Sequence, residues 1–233
     1  MNDRVQTLNH GAAYGQGVSA EQRNKVLRNT YWLLALSMLP TVLGAWVGVT
    51  TGITASMGGG MGLVIFLGGA FGFMFAIEKT KNSAAGVPVL LAFTFFMGLM
   101  LSRLIAMVLG FKNGADLIMM AFGGTAGVFF VMASLSSVIK RDLSSMGKWL
   151  TVGAVVLMVA AIINVFVAST AGMMAISVLA IGIFSAFILY DLKRIMDGGE
   201  TNYISATLGL YLSVYNVFQS LLLLLGIGGG NSD

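Results

Sequence analysis

Few residues in this chain of 233 could do chemistry. Cysteine is absent and the only histidine is His10, so thiolate catalysis, disulfides and paired-histidine zinc sites such as H-E-x-x-H are excluded. Ser145 and Lys148 have the Ser-x-x-Lys spacing of penicillin-binding enzymes, but the companion motifs are missing and the pair reads as chance in a loop. An intramembrane serine protease needs an embedded base, which His10 in the amino-terminal tail cannot supply. Tyr190-Asp191 matches half the signature of intramembrane aspartyl proteases, yet no Gly-x-Gly-Asp supplies the second carboxylate of a shared-proton pair. The cluster Gly58, Gly59, Gly60, Gly62 lacks the Lys-Ser/Thr of a phosphate loop. No catalytic residue, metal or cofactor is assigned, and no enzyme activity is expected.

What remains is three ionisable residues within or at the ends of long apolar runs: Arg103, Asp116 and Asp191. In hydrocarbon such groups are costly unless paired or hydrated, so each is a functional candidate. Arg103 can snorkel to the interface, and Asp116 suits a helix N-terminus. Asp191 either pairs at a helix end with Lys193 or Arg194, or, if the helix continues to Met196, lies below the headgroups as a carboxylate able to sense protons or bind a cation. In the last apolar run Thr207, Tyr211, Tyr215 and Gln219 fall in steps of four, with Ser213, Asn216 and Ser220 on a nearly opposite face. A helix polar on two sides belongs inside a bundle rather than against lipid. Asn164 is one more amide in a span, read as interhelical glue.

The elements that position these groups follow from composition. Hydrophobic residues make up 57% of the chain and charged ones 9%, against roughly a quarter charged in soluble domains. Spanning a bilayer takes about 20 apolar residues, and such runs occupy 30–50, 58–77, 87–110, 115–139, 149–168, 172–191 and 203–227. The chain therefore reads as an all-α membrane protein, with a mostly disordered cytoplasmic tail at 1–28 and a seven-helix domain at 29–233. Ser19 with Gln22 could cap a helix running into the first span. Arg4, Arg23, Lys25, Arg28, Lys79, Lys81, Lys140, Arg141, Lys148, Lys193 and Arg194 all fall on one side of a seven-span topology, leaving only Arg103 and Lys112 elsewhere. That side is cytoplasmic by the positive-inside rule, which places the carboxyl terminus on the opposite, outer side unless the seventh run is a re-entrant hairpin. Clustering between spans also argues against a nucleic-acid surface, so no nucleic acid partner is expected. Trp32, Trp46 and Trp149 fall near span ends, and the glycines Gly68, Gly69, Gly72, Gly123, Gly124 and Gly127 read as sites of close helix packing.

Tyr190-Asp191-Leu192, the run Gly198-Gly199-Glu200-Thr201-Asn202-Tyr203-Ile204, then Leu210-Tyr211-Leu212 and Tyr215-Asn216-Val217-Phe218 resemble the Bax inhibitor-1 family. Lys25-Val26-Leu27-Arg28-Asn29-Thr30-Tyr31 is similar to its bacterial YccA-like branch. The resemblance implies a bundle whose last helix is surrounded by the other six. It also implies association with the membrane AAA protease FtsH, as substrate and modulator, in quality control of a bacterial inner membrane. The wider family implies an alternative, a pH-sensitive calcium leak closed by an aspartate pair. Carried onto this chain, the first aspartate falls on Asp191 and the second on Ser213, so any ion or proton site would rest on Asp191 with Ser213, Asn216 and Tyr211. Tyr190, Gly198, Gly199, Glu200, Tyr203 and Tyr215 are the remaining motif residues.

Overall fold

The structure, a computed structural model, describes residues 18–229. His10, the tail before Val18 and the carboxyl-terminal residues 230–233 lie outside the described residues, and with them the expectations for the distal tail and for Asp233. Seven helices follow one another: α1 (Ala20–Thr51), α2 (Gly59–Thr80), α3 (Gly86–Leu109), α4 (Gly114–Val138), α5 (Ser144–Val167), α6 (Thr170–Met196) and α7 (Tyr203–Gly229). All seven are long and apolar enough to cross a bilayer, with mean hydropathy between 1.7 and 2.6 in their best windows. α7 is one unbroken helix of 27 residues, about 40 Å long, so it is not a re-entrant hairpin.

The helices overrun the apolar runs because apolarity marks the thickness of the hydrocarbon and not the length of a helix. α1 begins at Ala20, with the Ser19 hydroxyl accepting the Gln22 N–H at 3.1 Å, so residues 20–28 are helix rather than tail. α5 begins at Ser144, which puts Ser145 and Lys148 exposed on its first turns instead of in a loop. α6 runs past Asp191 to Met196.

α7 carries the largest buried share of any span and packs against α6, α4, α1, α3 and the edge of α2. α5 packs on α6 alone, so five of the other six helices form the wall around α7 and α5 lies outside it. The most extensive pairing joins α1 to α3. There a Cβ on Gly44 would collide with the Phe95 carbonyl, and one on Gly98 with the Thr41 carbonyl, so the two backbones touch. The glycines singled out in α2 and α4 behave differently: Gly69 lies under the Phe96 ring and Gly124 against Leu221, but Gly68, Gly72, Gly123 and Gly127 face open space. Those four are on the lipid side, where nothing requires glycine. Trp32, Phe75, Phe130, Trp149 and Phe166 also point outward, as side chains solvated by acyl chains do.

Candidate functional site

The motif segment after Tyr190 divides into a structural corner and a half-buried carboxylate. The corner begins where α6 stops. Gly198 has φ +82, a left-handed conformation that costs a side chain with a Cβ; its N–H reaches the Ile195 carbonyl at 3.1 Å, and the Gly199 N–H reaches Arg194 at 2.8 Å. Glu200 then folds back. One carboxylate oxygen accepts the N–H groups of Thr201 and Asn202 at 3.0 and 2.9 Å, and the other pairs with Arg194 at 3.2 Å. Asn202 starts α7, its Oδ1 accepting from the N–H groups of Ile204 at 2.9 Å and Ser205 at 3.1 Å. Its Nδ2 donates across to Lys81 O at 3.1 Å and Asn82 Oδ1 at 2.8 Å, tying this corner to the α2–α3 turn. From α1, Arg23 donates to the last α6 carbonyls through Met196 O at 3.0 Å. Gly198, Gly199 and Glu200 are thus architectural, and Tyr203 supplies the carbonyl that accepts from Thr207.

Asp191 lies one and a half turns before that corner, between the fully buried Ile188, Leu192 and Ile195. Lys193 pairs with Asp197 at 2.7 Å and Arg194 with Glu200, so neither forms the helix-end ion pair with Asp191. The Asp191 carboxylate instead rests on α7 at Gly209, where a Cβ would come within 3.1 Å of Oδ2. Among the described residues it makes no hydrogen bond or ion pair; Arg194 and Glu200 are the charges that act on it. Ser213 follows Gly209 by one turn on the same face, and Asn216 lies near it. Both are occupied within their own helix: Ser213 donates to Gly209 O at 3.0 Å and Asn216 to Leu212 O at 2.8 Å.

Tyr211 is turned away from this group. Its hydroxyl lies 2.8 Å from Thr41 Oγ1 and 3.4 Å from Thr94 O, binding α7 to α1 and α3. Tyr215 donates to Met97 O at 3.2 Å, and the Tyr211 ring packs edge-on to Phe93. The structure therefore brings Asp191, Ser213 and Asn216 to one face of α7 and puts Tyr211 and Tyr215 on the other. Tyr190 covers Gly147 of α5, whose Cβ would strike the ring. Asn164 lies against Gly172 at the α5–α6 turn, Asp116 is in the first turn of α4, and Arg103 is exposed.

One carboxylate with neutral oxygens nearby can hold a proton or attract a cation, but it brings a single charge to a divalent ion. No group of three His, Cys, Asp or Glu side chains suited to a metal exists among the described residues. Sequence reasoning missed Gly209 and Gly147, whose roles are contacts that no spacing reveals. It also passed over Asn202, although an Asn immediately before an apolar run is a helix-start signal.

Comparison with known proteins gives the same frame. The family described as inhibitor of apoptosis-promoting Bax1 matches residues 23–230. A protein of Escherichia coli (strain K12) called modulator of FtsH protease YccA is 39% identical over 224 residues, covering 96% of this chain and 97% of its own. In a second Escherichia coli strain a protein called inner membrane protein YccA shows the same identity and coverage. An uncharacterized membrane protein of Vibrio cholerae is 38% identical over 210 residues, 90% of this chain and 92% of its own. With the motif corner, the seven spans and these relatives in agreement, the chain belongs to the Bax inhibitor-1 family and is a multi-pass membrane protein.

Proposed function

We propose that this protein works by binding rather than catalysis, as an inner-membrane modulator of the membrane AAA protease FtsH and also one of its substrates, in membrane-protein quality control. The observation that carries this reading is how the polar groups of α7 are used. Thr207, Ser213 and Asn216 donate to carbonyls of their own helix, and Tyr215 donates to α3. A central helix that satisfies Thr207, Ser213 and Asn216 with its own carbonyls and uses Tyr211 and Tyr215 to bind α1 and α3 suits a docking scaffold better than an ion path. The name of the 39% identical relative supports the choice of partner. In this reading the cation-rich end faces the cytoplasm, the carboxyl terminus lies in the periplasm, and residues 2–18 are the segment offered to the protease.

Affinity purification from gently solubilised membranes should copurify FtsH, and deleting residues 2–18 should slow turnover in a pulse chase while leaving insertion intact. An unchanged half-life rejects the tail as handle, and absence of the protease from the purified material rejects the partnership. A second reading, a pH-sensitive calcium or other cation leak, is favoured by one observation: the Asp191 carboxylate has no ion-pair partner among the described residues. Calcium flux into dye-loaded liposomes that changes with Asp191→Asn would support it. Flux no greater than that of empty liposomes between mild acid and neutral pH removes it.

A further inference from the structure

α2 and α5 share no packed face, and the gap between them opens a crevice of about 330 Å³ that reaches α7. Its polar lining is Thr54, Arg103, Gln219 and Tyr215, the last with its hydroxyl already on Met97 O; its apolar lining includes Leu63, Phe66 and Met100. This is the end of the bundle away from the Lys- and Arg-rich loops. Arg103 precedes the end of α3 at Leu109 by six residues, roughly 9 Å along the axis, so it belongs to the span and not to the loop that follows. A guanidinium so close to hydrocarbon is costly until it meets an anion. Among the described residues Arg103 has no hydrogen bond or ion pair, and neither has the Gln219 amide. The lip, by contrast, is fixed: the Thr54 and Ser102 hydroxyls bond at 2.7 Å and hold the α1–α2 connection against α3.

A planar cationic fork, a free amide donor and an apolar floor in one opening to lipid describe the complement of an anionic amphiphile. The volume lies within the range of small-molecule sites, roughly 300–1,000 Å³. We propose that this crevice binds one anionic phospholipid from the leaflet opposite the cation-rich loops, its phosphate on Arg103 and Gln219 and an acyl chain along Phe66 and Met100. The site is separate from the Asp191 group, which meets α7 at Gly209, ten residues before Gln219.

The test is native mass spectrometry of the full chain released from mild detergent with phosphatidylglycerol, phosphatidylcholine or soluble glycerol phosphate. One phosphatidylglycerol should be retained about tenfold more tightly than phosphatidylcholine, and glycerol phosphate should not displace it, because the chain is part of the ligand. Arg103→Gln should abolish the preference, Arg103→Lys should keep part of it, and Val165→Trp, which narrows the mouth, should lower retention with the cation intact. Arg141→Gln, in a cation-rich loop, should change nothing. Retention unaffected by Arg103→Gln, an equal loss with Arg141→Gln, or displacement by glycerol phosphate would each overturn the proposal. Gel filtration and melting without lipid show that each variant is folded before it is scored.

Discussion

Replacing Asn202 should loosen α7 at its first turn. In Asn202→Ala four hydrogen bonds disappear together: two to the N–H groups of Ile204 and Ser205, and two from Nδ2 to Lys81 O and Asn82 Oδ1. Loss of an N-cap costs about 1 kcal/mol. The two donor bonds would add ~1 kcal/mol each if buried, but the one to Asn82 is exposed and the one to Lys81 half-buried, so together they add about 1 kcal/mol. The total, about 2 kcal/mol, is a roughly 30-fold shift in the unfolding equilibrium. Asn202→Asp separates the two halves. It keeps the acceptor and puts a negative charge at a helix N-terminus, but it loses both donors, so its cost should be about 1 kcal/mol. Unfolding by titration with sodium dodecyl sulfate in mixed micelles, followed by tryptophan fluorescence, reads both values. If Asn202→Asp proves as damaging as Asn202→Ala, the cap contributes nothing and the reasoning fails. An Asn82→Ala background should shrink the effect of Asn202→Ala by no more than ~1 kcal/mol.

Three further outcomes follow from other contacts. Gly98→Val should force α1 and α3 apart at the Thr41 carbonyl and cost about 3 kcal/mol or more, whereas Gly72→Val, facing open space, should be close to neutral; equal losses in the same titration would contradict the packing described. Tyr211→Phe leaves the Thr41 hydroxyl bonded to Ser37 O, so the loss should be only about 1 kcal/mol, and a much larger destabilisation would mean that the hydroxyl does more than join helices. The Asp142 carboxylate accepts from the Ser144 hydroxyl and N–H, which hold its pKa below the ordinary carboxyl value. Its contribution to the start of α5 should be present above that ordinary value and lost as pH falls below it, and hydrogen exchange at the first α5 amides should quicken over that acid range in the parent but not in Asp142→Asn.

Seven spans were legible because each has to be apolar over a length that the bilayer dictates, and that signal needs no tertiary knowledge. Helix ends were less so. The nine residues from Ala20 to Arg28, six of them polar or charged, look like tail in composition, and only the Ser19–Gln22 cap betrayed a helix there. Which face of a span meets lipid was not legible at all: Gly69 and Gly72 read alike in sequence, yet a phenylalanine ring covers only the first. The candidate site was half visible. The period of four in α7 separated its two polar faces, but which face Asp191 would meet depended on how α6 leans on Gly209, a contact with no sequence signature. Tyr211 accordingly looked available as a ligand and is instead a strut toward Thr41 and Thr94.

The clasp of Arg23 on the end of α6 has a mechanical consequence. Any load applied to the chain ahead of Ser19 is borne first by that guanidinium on the Met196 carbonyl, at 3.0 Å, and then by the α1–α3 seam where two backbones touch. Pulling from this end therefore works against the most extensive helix pairing in the molecule, while α5, which packs extensively only on α6, is the least held. The same fold is stiff to a tug from its beginning and soft at its flank.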